Sequence, residues 1–439
     1  MRQRNVIFVV LCATCTGLAL LSTALNTALP SMAADLGVSS AQIQWVVSAY
    51  ALVLAVAMPL TAYLVTRFPT RRLYLAALGL YLACTVVCAL SSSFALTMAA
   101  RVIQAAANGL ISSLTQVTIL SVFDEGERGS RMGWFGLSTG AAPVIAPALG
   151  GVVCDILSWR AVFWVVALVL AVSFIASLFV MRDCLQTAPK AFDVPSFVAS
   201  VFAFGGITLG LSALTTSGLA SANALVPLAV GLCAAVLFVR RQLASDEPFL
   251  KVQLLGSRGY AAGVLGSMAL YAVMMGSAAV LPLYLQNDLG TTASVAGLVV
   301  LPGAALMALV SPVAGKIFDA VGIRVLSVLS TALLFASNAA MCIAPFANSL
   351  VCVVCATIVR YVAIGFIQMP LMTWANTIIP KGDIAHGSAL VTSLRNAAGA
   401  VGVAVAAGLF NTFGVGPAYA LLAVCAFALL PCAFVAKRV

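Results

Sequence analysis

The sequence predicts an all-α polytopic membrane protein, and three observations carry that expectation. Of its 439 residues 63% are hydrophobic and only 8% charged, the mean hydropathy is +1.14, and apolar runs of bilayer-crossing length recur from end to end. A soluble core needs no such composition. A spanning helix needs about 20 mostly apolar residues, and fourteen runs meet that requirement.

The first run, near 6–29, follows Met-Arg-Gln-Arg and lacks a small-residue cleavage site, so it reads as a retained helix rather than a signal peptide. The second (44–65) opens on Gln44-Trp45 and ends before Arg67, Arg71 and Arg72; the third (73–91) and fourth (95–122) follow, the fourth holding Arg101. The fifth (132–154) carries Pro143, Pro147, Gly150 and Gly151, and the sixth (160–181) stops at Arg182. The seventh and eighth (194–214, 221–239) lie between charged loops. After them come 259–285, 296–318, 325–346, 349–379 with Arg360 inside, 388–411 and 416–436.

Basic residues orient this array. With the N-terminus in the cytoplasm, 18 of the 22 Lys and Arg fall on the inner side, and one missed or invented helix would destroy the pattern. The positive-inside rule therefore predicts fourteen spans with both termini cytoplasmic, in the inner membrane. The net charge of +10 reflects this topology, and no nucleic-acid partner is implied.

None of the 12 Asp and Glu lies inside an apolar run, whereas Arg101, Arg360 and Arg395 do. Charge within a bilayer is costly and usually functional. At 1.5 Å per residue Arg101 sits roughly 9 Å, and Arg360 roughly 16 Å, below the outer edge. Snorkelling can serve Arg101; Arg360 needs carbonyls, Gln368, a water-filled cavity or an anionic ligand. The twelve cysteines, Cys352-x-x-Cys355 included, fall mostly in apolar helices where Cys behaves as a small hydrophobe. Zinc wants three or four converging ligands. No metal and no cofactor are expected, and the single histidine, His386, is assigned to a solvated inner loop.

A repeat is visible. Gly315-Lys-Ile-Phe-Asp319-Ala-Val-Gly322-Ile-Arg324 follows the tenth run, and Ala62-Tyr-Leu-Val-Thr66-Arg-Phe-Pro69-Thr-Arg71 follows the second, at an offset of 253 residues. The predicted organisation is an N-terminal six-helix bundle (1–181), an inserted pair with linker loops (182–257) and a C-terminal six-helix bundle (258–439).

Several motifs then converge. Ser22-Thr-Ala-Leu-Asn26-Thr-Ala-Leu-Pro30 stands in the first run, Gln44-Trp45-Val-Val-Ser-Ala-Tyr50 in the second and Arg101-Val-Ile-Gln104 in the fourth. Ala146-Pro147-Ala-Leu-Gly150-Gly151 with Trp159-Arg160 and Phe163 follows, then Leu281-Pro282-Leu-Tyr284-Leu-Gln286 with Gly297 and Pro302. In order and spacing this set resembles the 14-helix drug:proton antiporters of the major facilitator superfamily, over nearly the whole chain. Leu21 stands where that family has Asp, Ala105 replaces a common Gly, and Thr66 and Pro69 depart from its first loop motif. The resemblance implies the major facilitator fold, a monomer in the lipid bilayer and proton-driven efflux of small molecules by alternating access.

Candidate residues follow. Asn26, Tyr50, Arg101, Gln104, Gln116, Tyr271, Gln286, Arg360, Gln368, Trp374 and Asn376 are polar or aromatic candidates for a substrate cavity; each polar or aromatic one serves equally in helix contacts or an interfacial belt. Pro143, Pro147, Gly150 and Gly151 let the fifth helix bend and approach its neighbours closely. Gly315, Asp319, Gly322 and Arg324 are read as an inner gate latch, and Arg71 and Arg72 as gate or plain anchor. Arg cannot shuttle protons, which leaves Asp35, Asp155 and Asp288 at helix ends as proton-coupling candidates beside capping or solvation. An interior with arginine and no carboxylate predicts neutral or anionic amphipaths over quaternary cations, with Arg360 as the principal electrostatic contact. An enzyme is not expected, since converging acids, histidines or an activated nucleophile are missing. A transporter of a specific anionic or neutral metabolite, or a non-transporting sensor, is the alternative.

Overall fold

The computed structural model describes residues 2–185, 187, 192–217, 221–245, 248, 250–291, 293–347 and 349–436, and side chains within them apart from a minority. The first six long helices are α1 (Arg2–Leu36), α2 (Trp45–Arg67), α3 (Thr70–Leu90), α4 (Phe94–Val122), α5 (Glu125–Ile156) and α6 (Trp159–Val180). Helices α7 (Val194–Ser217) and α8 (Ala222–Ala244) follow. The chain continues through α9 (Arg258–Leu283), α10 (Ala293–Val321), α11 (Ile323–Ala347), α12 (Leu350–Thr377) and α13 (Ile384–Phe413) to α14 (Val415–Ala426), which runs on through a short 3₁₀ turn to Val435.

Twelve helices among the described residues are long and apolar enough to cross a membrane. Helices α2 and α5 form where the second and fifth runs predict them, yet neither is among those twelve. Both helices contain side chains outside those described, and among the described residues of α2 the stretch Trp45–Leu54 is apolar. The first turns of α5 carry Glu125, Glu127, Arg128 and Arg131.

The chain divides into two compact units, one of residues 1–122 and 138–193, the other of 123–137 and 194–439. Helix α5 contributes its first turns to the second unit and the rest to the first. Within the first unit α1 packs on α6, α2 on α4, and α3 on both α4 and α6; within the second, α9 packs on α14, α10 on α12, and α11 on both α12 and α14. The same pairing thus recurs in both units, as expected where a repeated pattern of small and apolar faces repeats. Helices α7 and α8 pair through close backbones: a Cβ on Gly206 would meet the Pro227 carbonyl at 2.7 Å. Helix α7 also meets α13.

Two boundaries differ from the sequence reading. Helix α1 continues through Pro30 to Leu36, placing Asp35 in its last turn, because a proline that removes one backbone bond does not end a helix held by its neighbours. His386 lies in the first turn of α13 and is 2% exposed, so the solvated-loop assignment is corrected. Apolar pressure on Ile384, Ala385, Leu390 and Val391, all buried, carries the histidine in with them.

Candidate functional site

Arg101 is fully buried in α4. Its guanidinium lies 4.0 Å from the centroid of the Tyr50 ring, Nη1 donates to Gln104 Oε1 at 2.9 Å, and Nε donates to the Val46 carbonyl at 3.4 Å. Gln104 Nε2 in turn donates to Thr85 Oγ1 at 2.9 Å, and Asn108 Nδ2 donates to the Tyr50 hydroxyl at 2.7 Å. A buried cation is tolerable only when dipoles and π faces replace water, and here α2, α3 and α4 supply them. Three expected residues, Tyr50, Arg101 and Gln104, are therefore one cluster. Thr85 and Asn108, which sequence reasoning missed, complete it; the signal for Asn108 was its place one turn beyond Gln104 on α4, whereas Thr85 comes from α3, where no candidate was expected. Gln116 is buried farther along α4. The side chain of Asn26 lies outside those described.

In the second unit Arg360 is 2% exposed, 5.6 Å from the Tyr419 ring centroid, with Nη1 lacking a hydrogen-bond partner among the described residues. Its guanidinium is enclosed in its own unit and does not present the open face expected of a principal ligand contact. Gln368, two turns on, is half-buried. Asn376 is internally satisfied: Nδ2 donates to the Met372 carbonyl at 2.8 Å and Oδ1 accepts from Ser388 Oγ at 3.0 Å. Trp374 lines a pocket of about 600 Å³ together with Arg258, Asp319, Gly322 and Arg324, at the helix ends. Gln286 and Asp288 are exposed in a π-helical turn, Tyr284–Asp288. Tyr271 is half-buried and packs on a third intramembrane arginine, Arg395, at 4.5 Å.

The loop motif of the second half makes the sharpest contact. The Asp319 carboxylate accepts from the backbone N–H groups of Gly129 (2.8 Å) and Ser130 (2.6 Å) near the start of α5. Small residues permit the approach: a Cβ on Gly315 would fall onto the Gly129 carbonyl oxygen, and one on Gly133 would come 3.0 Å from Pro312 Cα. Gly322, at φ 73°, ends α10 in the left-handed region that glycine tolerates, its N–H on the Phe318 carbonyl at 2.9 Å. Arg324 is exposed on the next helix.

Elsewhere Arg71 donates from Nη2 to the Leu178 carbonyl at 2.9 Å while its N–H meets Asp183, and Arg72 is exposed. Asp35 accepts from Arg160 Nη1 at 2.6 Å and Trp159 Nε1 at 3.3 Å. Gly150 abuts α1, a Cβ there meeting Thr27 Oγ1 at 2.8 Å. The side chains of Pro143, Pro147 and Asp155, and Gly151, lie outside those described, although α5 is helical throughout.

Paired helical repeats with charge held inside apolar helices define a polytopic membrane transporter of small molecules. The sequence profile of the Major Facilitator Superfamily matches residues 9–403, and the chain belongs to that family. Its members are transporters, not enzymes. The chain is similar to the uncharacterized MFS-type transporter YcnB of Bacillus subtilis, 32% identical over 92% of this chain and 85% of that one. It is equally similar, at 32% over 88% of this chain and 82% of the relative, to the lincomycin resistance protein LmrB of Listeria monocytogenes. Among solved structures the human organic anion transporter MFSD10 shares the fold, with a TM-score of 0.70 at 16% identity over 97% of this chain and 99% of that one.

Proposed function

We propose that the chain is a fourteen-span, monomeric inner-membrane exporter of amphipathic small molecules, with both termini cytoplasmic, driven by the proton gradient through alternating access. The observation that carries this reading is the charge inside the helices: Arg101, Arg360 and Arg395 lie within α4, α12 and α13, while the described acids sit at helix ends. A transport path with cations and no carboxylates inside its helices favours neutral or anionic amphipaths and disfavours quaternary cations, which need a facing carboxylate. Similarity to a lincomycin resistance protein supports export. Helices α2 and α5 at the places the second and fifth runs predict support fourteen spans. In this reading 1–181 and 258–439 are the two bundles, 182–257 is an insertion, the Asp319 contact latches one gate, and Arg71 anchors the other half.

Proton coupling is assigned to Asp35, Asp155 or Asp288. Flux of matched anionic, neutral and quaternary-ammonium probes into proteoliposomes under an imposed pH gradient tests the whole reading. Gradient-driven flux of the first two probes, lost when all three aspartates become asparagine, is expected. Robust flux of the cation alone overturns the substrate class, and a gradient response surviving in the triple variant overturns the coupling residues.

A further inference from the structure

We propose that Arg395 of α13 and Tyr271 of α9 form an anion-binding subsite that takes the carboxylate of an amphipathic organic acid. Arg395 lies eleven residues into α13, about 16 Å from its start, and Tyr271 lies mid-way along α9. Both lie about three turns or more from either end of their helices. No Asp or Glu occurs anywhere in α9 or α13, so no neighbouring turn of either helix neutralises the cation.

Each of the three intramembrane arginines keeps one buried guanidinium nitrogen without a hydrogen-bond partner among the described residues, Nη2 of Arg101, Nη1 of Arg360 and Nε of Arg395, and they differ in exposure. Arg101 is fully buried and engaged with Gln104, Val46 and Tyr50, and Arg360 is 2% exposed beside Tyr419. Arg395 alone of the three is half-buried, and so accessible. The Tyr271 ring sits 4.5 Å from the guanidinium carbon and takes up its π-facing side. That contact uses none of the N–H donors, whose planar fork matches a carboxylate. Gly399, one turn further along α13, lets this helix approach α9: a Cβ there would come 3.1 Å from Met275 Cγ and would be in ordinary contact with Tyr271 Cδ1 at 3.5 Å. Helix α13 thus presents a cation whose π-facing side is covered by a ring of α9.

The subsite rests on the amphipath reading for its role in transport, but its binding is measurable apart from transport. The purified full chain in nanodiscs is titrated with 11-(dansylamino)undecanoate and with the primary amide of the same acid, read by dansyl fluorescence. Wild-type protein is expected to prefer the carboxylate. Arg395→Gln should weaken that probe at least about tenfold, the loss of a charge-assisted pair, and shift the amide less than about twofold. Tyr271→Phe, which keeps the ring, should preserve the preference. Equal affinity for the two probes in the wild type, or a carboxylate affinity unchanged in Arg395→Gln, overturns the subsite. If Arg395→Gln does not fold, Arg395→Lys is read instead: a loss confined to the carboxylate supports the fork, and no loss overturns it. Flux of both probes with no Arg395 dependence sinks the subsite and leaves the transport reading standing; Arg395-dependent binding without flux does the reverse.

Discussion

Asp319 and Gly129, 190 residues apart, meet through a hydrogen bond of 2.8 Å from the Gly129 N–H to the carboxylate. The equivalent position in the first half of the repeat is Thr66, whose hydroxyl donates to the Ala62 and Tyr63 carbonyls of its own helix. One loop position therefore does two jobs. A carboxylate is drawn to the positive end of a helix dipole, and a hydroxyl on a helical residue is satisfied locally.

Replacing Asp319 with Asn removes the charge facing α5 and turns one acceptor into a donor that opposes an N–H. The expected cost is about 1–2 kcal/mol, seen as a lower unfolding midpoint of detergent-solubilised protein. Asp319→Thr, which installs the first-half residue, should cost at least as much. Unchanged midpoints in both variants would show that the contact contributes nothing to stability.

Close approach of α5 and α10 makes a second expectation. A Cβ on Gly129 would meet Phe318 Cδ1 at 2.5 Å and the Gly315 carbonyl at 2.7 Å, whereas one on Gly126 meets nothing within 4 Å. Gly129→Ala should destabilise by about 1–3 kcal/mol through overpacking, and Gly126→Ala should be neutral or slightly stabilising through helix propensity. Thermal unfolding of the pair, side by side, decides the matter; equal behaviour counts against the contact.

Arg101 offers a test of fork against point charge. Arg101→Lys keeps the charge but cannot hold Gln104 and the Val46 carbonyl together while covering Tyr50, so a loss of about 2–4 kcal/mol is expected. Tyr50→Phe retains the ring and loses the bond from Asn108, about 0.5–1.5 kcal/mol. Chemical denaturation in micelles should rank the two in that order, and the reverse order would mean that the guanidinium fork is incidental.

The Asp35–Arg160 pair is partly exposed, with side-chain exposures of 44% and 30%. Asp35→Asn should therefore change stability by no more than about 1 kcal/mol, less in high salt. A large, salt-independent loss would indicate that the pair is structural in a way its exposure does not suggest.

Orientation is open to cysteine labelling. Single cysteines replacing Ser92, Ser217 and Asn348 should react with a membrane-impermeant maleimide in intact cells. Reaction only after permeabilisation would reverse the proposed topology.

Much of the architecture is legible in the sequence because its causes are local. Hydropathy decides that the bilayer is the solvent, and run length and turn residues place helices such as Thr70–Leu90 and Trp159–Val180 within a few residues of the expected runs. The cluster of Tyr50, Arg101 and Gln104 is half legible: the residue types stand out, but nothing in one strand of text says that Thr85 and Asn108 close it.

By itself, then, the sequence determined the membrane-spanning class, the positions of the helices and the superfamily to which the chain belongs. Tertiary structure alone decided that Arg360 is enclosed beside Tyr419, that Arg395 keeps an accessible face on Tyr271, that His386 is buried and that Asp319 meets Gly129. The physical reason is rotation about the helix axis. Backbone bonding and apolar burial act along the chain and are written in its local pattern, whereas the partner of a polar side chain depends on which neighbouring helix, far away in the sequence, presents a small residue or a π face to it.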